Sequence, residues 1–516
     1  MSDLKLLQTQ LRHALKQGAD LEFANRLLKK FPQAKIYLVG GIVRDWLLKR
    51  DSQDYDFVVS GVPVKKLESF LKTQGQVNLV GRRFGVFKFT PKKSTLTLDI
   101  ALPRTEHAWG TGGYKDVETQ SDWRLPIEED LKRRDFTINA MALEMSEKKL
   151  IDPFNGQIDL KKKLIKTVGK SEERFKEDYS RMLRALRFSA QLNFKIEKNT
   201  WVSLVKMMKK ISNGVVPAEV ISKEFIKSLM SDPVKTLDMW NDSNAFKYLM
   251  PELLKMRKCP QPKEFHAEGD VWTHTRLALR NLTTPAYKKF IKTLPEHIKK
   301  EPALSPELIL GVLFHDLGKP YTIKTPAKDG VDRIRTDGHD TFGAKLTKKI
   351  GERLRFNSVP NQPCDLDKIS WIIVHHMLIV HGEPAKFTNR TIEKYFFNPK
   401  NPGGNLLKLI YADQMASFVK GQPSLGSLPQ LIKRIKQLPK KLRQKNTLPP
   451  PLLDGNEIMK ILKIKPSPQV GVMIEKLREA QLAGRIKNKI EAKKMTHGVI
   501  PNLPACPVGR FRDLAV

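Results

Sequence analysis

The chain has 516 residues, of which 40% are hydrophobic and 28% are charged. This length excludes a single small domain and predicts two to four domains, and this composition excludes a largely disordered chain. The formal net charge of +37 is spread along the chain, so it predicts a polyanionic partner, most simply nucleic acid. The alternative is a general basicity that serves only solubility.

The cysteines and the N-terminus indicate the compartment. Three cysteines, far apart and odd in number, support neither a disulfide framework nor a cysteine zinc site. The first 23 residues are amphipathic but carry charges throughout, without the apolar core of a signal peptide. No run approaches transmembrane length. We therefore expect a cytoplasmic protein without membrane contact, beginning with one or two helices over residues 1–30.

Residues 37–60, YLVGGIVRDWLLKRDSQDYDFVVS, predict a strand, a Gly-Gly turn, a helix, a loop and a second strand. Gly40 and Gly41 lack a Cβ, so the backbone can approach an anion, and amides at the start of a helix suit phosphate. Arg44 lies one turn further and can add a charged fork. Asp54 and Asp56 are two apart in a strand-like run and would share a face. Such a pair suits divalent metals that bridge a triphosphate and an attacking hydroxyl.

This block resembles the first motif of the class II tRNA nucleotidyltransferase and poly(A) polymerase family. Taken alone, a Gly-Gly pair is normally a turn and a D-x-D is normally a solvated loop. A helix, VKKLESFLKTQG, and the strands VNLVG, GVFKFT and TLTLDIAL are predicted next. Asp99 ends an apolar strand and is a candidate third catalytic carboxylate. Residues 107–126 are glycine-rich and polar, and they predict a mobile loop.

Residues 127–144, IEEDLKRRDFTINAMALE, place polar residues among apolar ones, which is unusual for a core helix. A charge run of this kind is normally a solvated helix face. The stretch RRDFTINA nevertheless resembles the second motif of the same family, in which an arginine contacts the triphosphate and an aspartate contacts the ribose. The resemblance implies these roles for Arg134 and Asp135, with Asn139 beside them at the nucleotide.

Residues 175–194, FKEDYSRMLRALRFSAQLNF, predict an amphipathic helix on which Asp178 and Arg181 share a face. Solvated arginines are the plain alternative. The run resembles the family motif E-D-x-x-R followed by two arginines. There the aspartate and the first arginine read the base edge without a template, as planar groups can. The resemblance therefore implies base reading by Asp178 and Arg181, and phosphate contacts by Arg184 and Arg187.

A second group of candidates begins after residue 258, where the composition shifts to Pro, Cys and Gln. An isolated histidine on an apolar helix is more often a core residue than a ligand, but here the order H…HD…D, with HDLGKP intact, resembles the HD-domain metal-dependent phosphohydrolases. The resemblance implies a ligand set of His274, His315, Asp316 and Asp413. His339 and His376 are candidates for a second metal or for phosphate. Imidazoles with carboxylates suit Mn, Ni, Fe, Co or Zn better than Mg.

The last hundred residues predict a basic linker and a small helical module. Seven cations without an acid occur in residues 427–451. A solvated charge run is the usual outcome for such a segment, but in so basic a chain contact with an RNA backbone stands at least level with it. These cations are Lys433, Arg434, Lys436, Lys440, Lys441, Arg443 and Lys445.

We therefore predict an α+β, mostly helical protein: a polymerase-β-like nucleotidyltransferase head followed by an all-α neck, body, HD domain and tail. The expected domains are an N-terminal helical lead (1–30), the head (31–160), a neck and body that select the nucleotide (161–258), an HD domain (259–420), and a basic linker with a helical tail (421–516).

The resemblance implies addition of CMP and AMP from CTP and ATP to the 3′ end of tRNA, with Mg²⁺ at the head. CC-only addition, A-only addition and poly(A) synthesis stay open. A phosphohydrolase with an RNA-binding head is the alternative from another class, and a pure RNA-binding protein is a third.

Overall fold

The computed structural model describes residues 3–17, 21–52, 54–80, 86–92, 94–113, 117–360, 362–419, 421–441 and 448–498. The chain divides into two compact units. One comprises Met1–Pro251 with Ser358–Pro360, and the other comprises Glu252–Asn357 with Asn361–Val516. Within the described ranges, no helix is both long and apolar enough to cross a membrane.

The first unit begins with a mixed sheet and its helices. Its strands are β1 (Lys35–Val39), β2 (Asp56–Ser60), β3 (Gly75–Val80), β4 (Val86–Pro91), β5 (Leu98–Ala101), β6 (Arg104–Ala108), β7 (Val117–Ser121), β8 (Ala142–Glu144) and β9 (Leu150–Ile151). Its first helices are α1 (Asp3–Gln17), α2 (Glu22–Lys30), α3 (Gly41–Leu47) and α4 (Val64–Gln74). Seven strands form one sheet in the order β3-β4-β5-β2-β1-β8-β9, in which only β2 and β5 pair in parallel.

The central strands of this sheet are buried on both faces, which is why they are continuous apolar runs rather than alternating ones. Along β1, Ile36 and Leu38 belong to one core cluster, whereas Tyr37 and Val39 belong to another. Alternate side chains of a strand point to opposite faces, so β1 lies between two cores. The helices α1 to α4 contribute to the first of these cores. The predicted strand–turn–helix–strand order of residues 37–60 is therefore confirmed.

The predicted mobile loop over residues 107–126 is wrong at residues 107–108 and 117–121, which lie in strands. β6 and β7 form an antiparallel hairpin, with Arg104 opposite Ser121 and Ala108 opposite Val117. The sequence analysis missed these strands because their composition is polar. They pair with each other rather than pack on a core, so they lack the apolar pattern of a buried strand. Residues 114–116, which belong to the predicted loop, lie outside the described residues.

Helices complete the first unit. They are α5 (Ile127–Lys132), α6 (Gly156–Lys161), α7 (Ser171–Glu177), α8 (Ser180–Leu192), α9 (Lys198–Met207), α10 (Ala218–Ser231), α11 (Pro233–Asp242) and α12 (Ala245–Leu249). The short strands β10 (Leu164–Ile165) and β11 (Lys195–Ile196) pair in parallel. α8 packs on α10. Phe225 of α10 is fully buried against Trp240 and Phe246, with ring centroids 4.5 and 6.1 Å away.

The second unit is almost entirely helical. Beyond α13 (Pro251–Leu254), its helices are α14 (Val271–Asn281), α15 (Pro285–Thr293), α16 (Glu296–Lys299), α17 (Pro306–Phe314), α18 (Lys319–Thr322), α19 (Pro326–Asp329), α20 (His339–Arg353), α21 (Leu366–His375), α22 (Leu378–His381), α23 (Asn389–Phe396), α24 (Gly403–Gln414), α25 (Leu428–Lys441), α26 (Gly455–Leu462), α27 (Pro468–Leu482) and α28 (Lys489–Gly498). A two-stranded ribbon joins β12 (Phe418–Val419) to β13 (Gln422–Pro423).

The apolar helix α17 is the centre of this unit, and it packs against α14, α21 and α24. Its residues from Leu308 to Phe314 are all buried, which explains a sequence, PELILGVLF, with almost no polar face. The predicted α+β, mostly helical class is confirmed. The division of the chain into two units falls near residue 251, and the predicted domain limits stay predictions.

Candidate active site and metal centre

The Gly-Gly turn brings the backbone against an arginine of residues 133–140, RRDFTINA, which are called the RRD block below. Gly40 has φ +73°, and a Cβ there would lie 2.6 Å from Nη1 of Arg134. Glycine is therefore required for its backbone conformation, whereas the tip of the Arg134 side chain could shift to make room. The turn connects β1 to α3, and it places the predicted phosphate-binding residues Gly40, Gly41 and Arg134 together at the end of β1.

Arg44 is buried rather than solvated. Its Nε and Nη2 donate to the two carboxylate oxygens of Asp45 at 2.9 and 2.8 Å, and its Nη1 donates to Oδ1 of Asn139 at 2.7 Å. The guanidinium also lies 5.2 Å from the ring centre of Phe188. Arg44 thus joins α3 to the RRD block, and its partners leave it less available to an anion than the sequence suggested.

Three candidate carboxylates meet where β2 begins. Asp56 is the first residue of β2, and its register partner on the parallel strand β5 is Asp99. Burial, and next the nearby charge of Asp54, raises the pKa of Asp56 to about 6, and Asp99 acts in the same direction. Such like-charge crowding favours a bound cation. Nζ of Lys88 lies 2.7 and 2.9 Å from the two oxygens of Asp99.

Two details of that prediction are wrong. Asp54 precedes the strand and is exposed, so a shared strand face is not what brings it to Asp56. Asp99 is the second residue of β5 rather than its end. Among the described residues, these three do not form a group whose ligand oxygens all lie within 4.8 Å of one another. Mg²⁺ is compatible with this spacing, because it is usually held by one or two carboxylates plus substrate phosphates and water.

Asp130 is a buried partner of the two arginines that the sequence analysis missed. It is fully buried in α5 and accepts hydrogen bonds from Arg133 at 2.8 Å and from Arg134 at 3.0 Å. Burial opposes its ionisation, but Arg134 and Arg133 together lower its pKa. Its spacing of three and four residues from the two arginines was the available signal. Arg133 also binds Glu106 of β6, a residue that the sequence analysis left without a role.

Asp135 connects the RRD block to the neck helix. It accepts from Nε of Arg184 at 2.7 Å, from the side-chain amide of Asn139 at 3.1 Å and from the backbone N–H of Phe136 at 2.8 Å. Burial acts to raise its pKa, but Arg184 and Asn139 lower it to about 2. Since Asn139 also accepts from Arg44, an unbroken chain of polar contacts runs from α3 to α8.

The predicted base-reading helix is interrupted. Asp178 lies between α7 and α8 in an extended conformation, so it does not share a helix face with Arg181. Its carboxylate accepts from the N–H of Ser180 at 2.8 Å, and burial raises its pKa. Arg181 is buried, binds Glu177 and donates to the carbonyls of Arg174 and Arg133.

The two later arginines of the motif each have a carboxylate partner. Arg184 binds Asp135, and Nε of Arg187 lies 2.5 Å from Glu224 of α10, a second residue that the sequence did not indicate. Arg187 also stacks on Phe188, 4.0 Å from the ring centre, with Arg184 at 5.3 Å. The structure therefore directs Arg187 toward α10 rather than toward Gly40.

In the second unit, all six predicted metal-site residues are brought together. His274, His315 and Asp413 form one triad, and Asp316, His339 and His376 form another; within each, the ligand atoms lie within 4.8 Å of one another. Nε2 of His274 is 2.9 Å from Asp413 and 3.3 Å from Nε2 of His315.

Asp316 lies between the two triads. Its Oδ2 is 3.4 Å from His315, and its Oδ1 is 3.4 Å from His339. Both oxygens are buried and accept no hydrogen bond from the described residues, although Nζ of Lys319 lies 2.7 Å from Oδ2 as an ion pair. Burial disfavours the charge, yet His315 and Lys319 hold the pKa of Asp316 well below its usual range. An unbonded buried carboxylate between histidines is the donor set that a divalent metal fits.

Local packing fixes this geometry. Asp316 and His315 follow directly from the buried helix α17. A Cβ on Gly318 would lie 2.0 Å from the carbonyl oxygen of His339, so this glycine allows the start of α20 to reach Asp316. His376 is fully buried, and burial followed by the neighbouring His339 and His315 lowers its pKa to about 3. A neutral imidazole of this kind is the form that can ligate a metal.

The basic segment forms the predicted helix, α25. Lys433 and Lys436 are exposed, whereas Nη1 of Arg434 donates to the carbonyls of Pro384 and Ala385 at 2.8 and 3.0 Å. Arg443 and Lys445 lie outside the described residues.

Three parts of the chain match known families. Residues 36–166 match the family described as the Poly A polymerase head domain, and residues 193–256 match the probable RNA and SrmB-binding site of polymerase A. Residues 291–409 match the HD domain. This last range contains His315, Asp316, His339 and His376 but not His274 or Asp413.

Curated relatives and solved structures agree with these matches. The multifunctional CCA protein of Neisseria meningitidis serogroup A is 34% identical over 349 residues, 66% of this chain and 73% of that protein. The protein of the same name from Legionella pneumophila strain Paris is 33% identical over 336 residues, 64% and 72% of the two chains.

The Bacillus stearothermophilus CCA-adding enzyme in complex with CTP superposes with a TM-score of 0.61 at 20% identity, covering 94% of this chain and 98% of that one. The Thermotoga maritima CCA-adding enzyme complexed with tRNA superposes with a TM-score of 0.54 at 20% identity, covering 92% of this chain and 94% of that one. These solved structures share the fold.

Proposed function

The chain belongs to the family of multifunctional CCA proteins, and on that premise we propose that it transfers CMP and AMP from CTP and ATP to the 3′ end of tRNA. This makes or repairs the CCA terminus and releases pyrophosphate. The observation that carries the proposal is the crowding of Asp54 and Asp99 around Asp56, with Arg134 near both Asp56 and Gly40.

The carboxylates and cations of the head divide the work. Asp54 and Asp56 hold a divalent ion, which we propose is Mg²⁺; when bound, it neutralises the triphosphate and lowers the pKa of the attacking 3′-hydroxyl. Asp99 completes the negative cluster. Gly40 and Gly41 let phosphate oxygens approach the backbone, and Arg134, positioned by Asp130, faces them.

Nucleotide selection belongs to the neck. We assign base reading to Asp178 and Arg181 and the ribose contact to Asp135. Asn139 and Arg184 hold Asp135, and Arg44 holds Asn139, through the contacts described above. Arg187 binds Glu224 of α10 instead. Arg44 and Arg184 also add positive charge near the nucleotide. A carboxylate beside a guanidinium offers acceptors and donors in the pattern of a base edge, which is how protein side chains can replace a template.

The test is incorporation of labelled CTP and ATP, separately and together, into tRNA transcripts that end at the discriminator base, after C and after CC. We expect a defined stop after CCA. ATP addition to the CC end alone would show an A-adding enzyme, a stop at CC would show a CC-adding enzyme, and a long A ladder on any RNA would show a poly(A) polymerase. Absence of incorporation with Mg²⁺ would contradict the proposal for the head.

A second activity is favoured by the two adjacent triads around Asp316. We propose that the HD domain binds one or two divalent ions of Mn, Ni, Fe, Co or Zn and hydrolyses phosphoesters. The test is hydrolysis of a nucleoside 2′,3′-cyclic phosphate with each metal added. His315→Gln should abolish the hydrolysis and leave CTP incorporation unchanged. Hydrolysis that persists in that variant would contradict a role for the triad. The cytoplasmic location and RNA contact through α25 stay predictions.

A further inference from the structure

The four histidines of the HD site differ in what supports them. Each presents Nε2 to a triad, so Nδ1 is left to a second partner. Nδ1 of His315, His339 and His376 lies 2.8, 2.8 and 2.6 Å from a backbone carbonyl, that of Val312, Thr336 and Ile373 respectively. Nδ1 of His274 instead lies 2.8 Å from Oε1 of Glu268, a carboxylate.

Glu268 is buried and hydrogen-bonded through both of its carboxylate oxygens. Its side chain is 1% exposed. Oε1 also receives Nδ1 of His266 at 2.8 Å, and Oε2 accepts the backbone N–H of Phe418 at 2.9 Å. Phe418 follows Asp413 by five residues, so Glu268 connects the helix that carries His274 to the segment that follows Asp413.

We propose that Glu268 is a positioning residue that makes the two metal positions of the HD site unequal. A carboxylate behind a ligating imidazole fixes its tautomer and orientation and makes its other nitrogen a stronger donor. Among the residues that the structure describes, a carboxylate supports an imidazole only at the position of His274, His315 and Asp413. The position of Asp316, His339 and His376 relies on neutral carbonyls, so it should bind the same metal more weakly. This inference rests on the proposed metal binding of the HD site, but not on its hydrolytic activity.

The experiment measures Ni²⁺ binding to the full chain in an Asp54→Ala/Asp56→Ala background, which removes the metal site of the head. Competition with a chromophoric chelator gives the number of bound ions and their dissociation constants. Two ions of different affinity are expected. Glu268→Gln should raise the dissociation constant of the tighter one by about 10- to 100-fold and leave the weaker one unchanged. Glu264→Gln, an exposed change four residues earlier, is the matched control.

A second pair of variants assigns the effect to a position. His339→Gln removes the weaker position, so adding Glu268→Gln should weaken Ni²⁺ binding at the one remaining position. His315→Gln removes the tighter position, so adding Glu268→Gln should leave the remaining Ni²⁺ binding unchanged. The inference would be overturned if Glu268→Gln weakened the binding of both ions equally or weakened neither. A parent chain that binds no Ni²⁺ would overturn it too. A chain that binds two ions as expected but hydrolyses no phosphoester would contradict the proposed activity alone.

Discussion

At the scale of single residues, Asp54 offers the most direct test of the head. Its carboxylate is exposed beside Asp56 and makes no hydrogen bond that supports the fold among the described residues. One arginine that neutralises charge in phosphoryl transfer is worth about 10³- to 10⁵-fold in rate. We therefore expect Asp54→Ala, which weakens binding of a divalent ion, to lower CMP incorporation by at least about 10³-fold while tRNA affinity stays within about twofold. Gel-based incorporation and fluorescence anisotropy would measure the two quantities.

Asp51 provides a matched control, because it is an exposed aspartate three residues earlier. Asp51→Ala should retain normal transfer. Transfer retained in Asp54→Ala would remove that carboxylate from the mechanism.

Asp178 has two separable roles. It accepts from the N–H of Ser180 at the start of α8, and it is proposed to read the base. Asp178→Ser keeps an acceptor for the helix but loses the base-reading carboxylate, whereas Asp178→Ala loses both. We expect each variant to reduce the discrimination between CTP and ATP by roughly 10-fold or more, since a bidentate pair is worth about 1–3 kcal/mol. The ratio of kcat/KM values measures this on a transcript ending in CC.

Comparison of the two variants separates the roles. Lost stability in Asp178→Ala alone, with normal selectivity in both, would rule out base reading and leave only a capping role.

At the scale of the elements, the contact between the RRD block and α8 depends on an ion pair in which Asp135 is buried and the Arg184 side chain is 36% exposed. Removing one partner of a fully buried pair typically costs about 3 kcal/mol, and solvent at Arg184 reduces that cost here. We expect Asp135→Asn to lower the denaturation midpoint of the first unit at pH 7. The pKa of Asp135 is lowered to about 2 from an unfolded value of about 3.9. Its contribution is therefore complete above pH 3.9 and is lost as the pH falls toward 2.

The difference in denaturation midpoint between wild type and Asp135→Asn should accordingly shrink as the pH falls from 5 to 2.5. A difference that stays constant over this range would mean that Asp135 is not a charged partner of Arg184.

The sequence predicted elements that have a local cause and missed those that depend on distant partners. β1, the Gly-Gly turn and β2 were predictable because short apolar runs and a glycine pair suffice to specify them. The β6–β7 hairpin was not, since each strand is polar and only the other strand satisfies it. The break at Asp178 was missed because its flanks, taken separately, both have helical patterns.

The same distinction applies to the candidate sites. Motifs indicated the histidines and aspartates of the HD site, and the structure brings them together. Glu224 and Glu268 are carboxylates whose partners become visible only after folding, because their partners are not neighbours in a pattern that the sequence marks. Asp130 had a local signal, its spacing from Arg133 and Arg134, but its burial became visible only in the structure. What the sequence lacked was therefore the second layer of contacts, which decides where each arginine and imidazole points.

At the scale of the whole molecule, the charge of +37 predicts a steep dependence of tRNA affinity on salt. Each phosphate contact contributes about 0.7–0.9 to the slope of log K against log salt concentration. Lys433 and Lys436 are exposed on α25, so Lys433→Gln/Lys436→Gln should lower the slope by about 1.5, measured by filter binding at several salt concentrations. Lys65→Gln/Lys66→Gln, an exposed pair on α4, is the control, and an equal loss in both would show that the effect is non-specific.

The two units also carry chemistries that need different ions. The head offers carboxylates, which suit Mg²⁺, whereas the HD site offers buried imidazoles, which suit softer divalent metals. We therefore expect the activities to be independent: Asp54→Ala/Asp56→Ala should abolish nucleotide transfer and leave hydrolysis of a 2′,3′-cyclic phosphate within about twofold of wild type. Asp413→Asn should do the reverse, because it removes a ligand from the triad with His274 and His315. Parallel assays in Mg²⁺ alone and in Mg²⁺ with Ni²⁺ measure both activities on the same preparations. Loss of both activities in either variant would contradict two separate centres and would indicate that one of them supports the other.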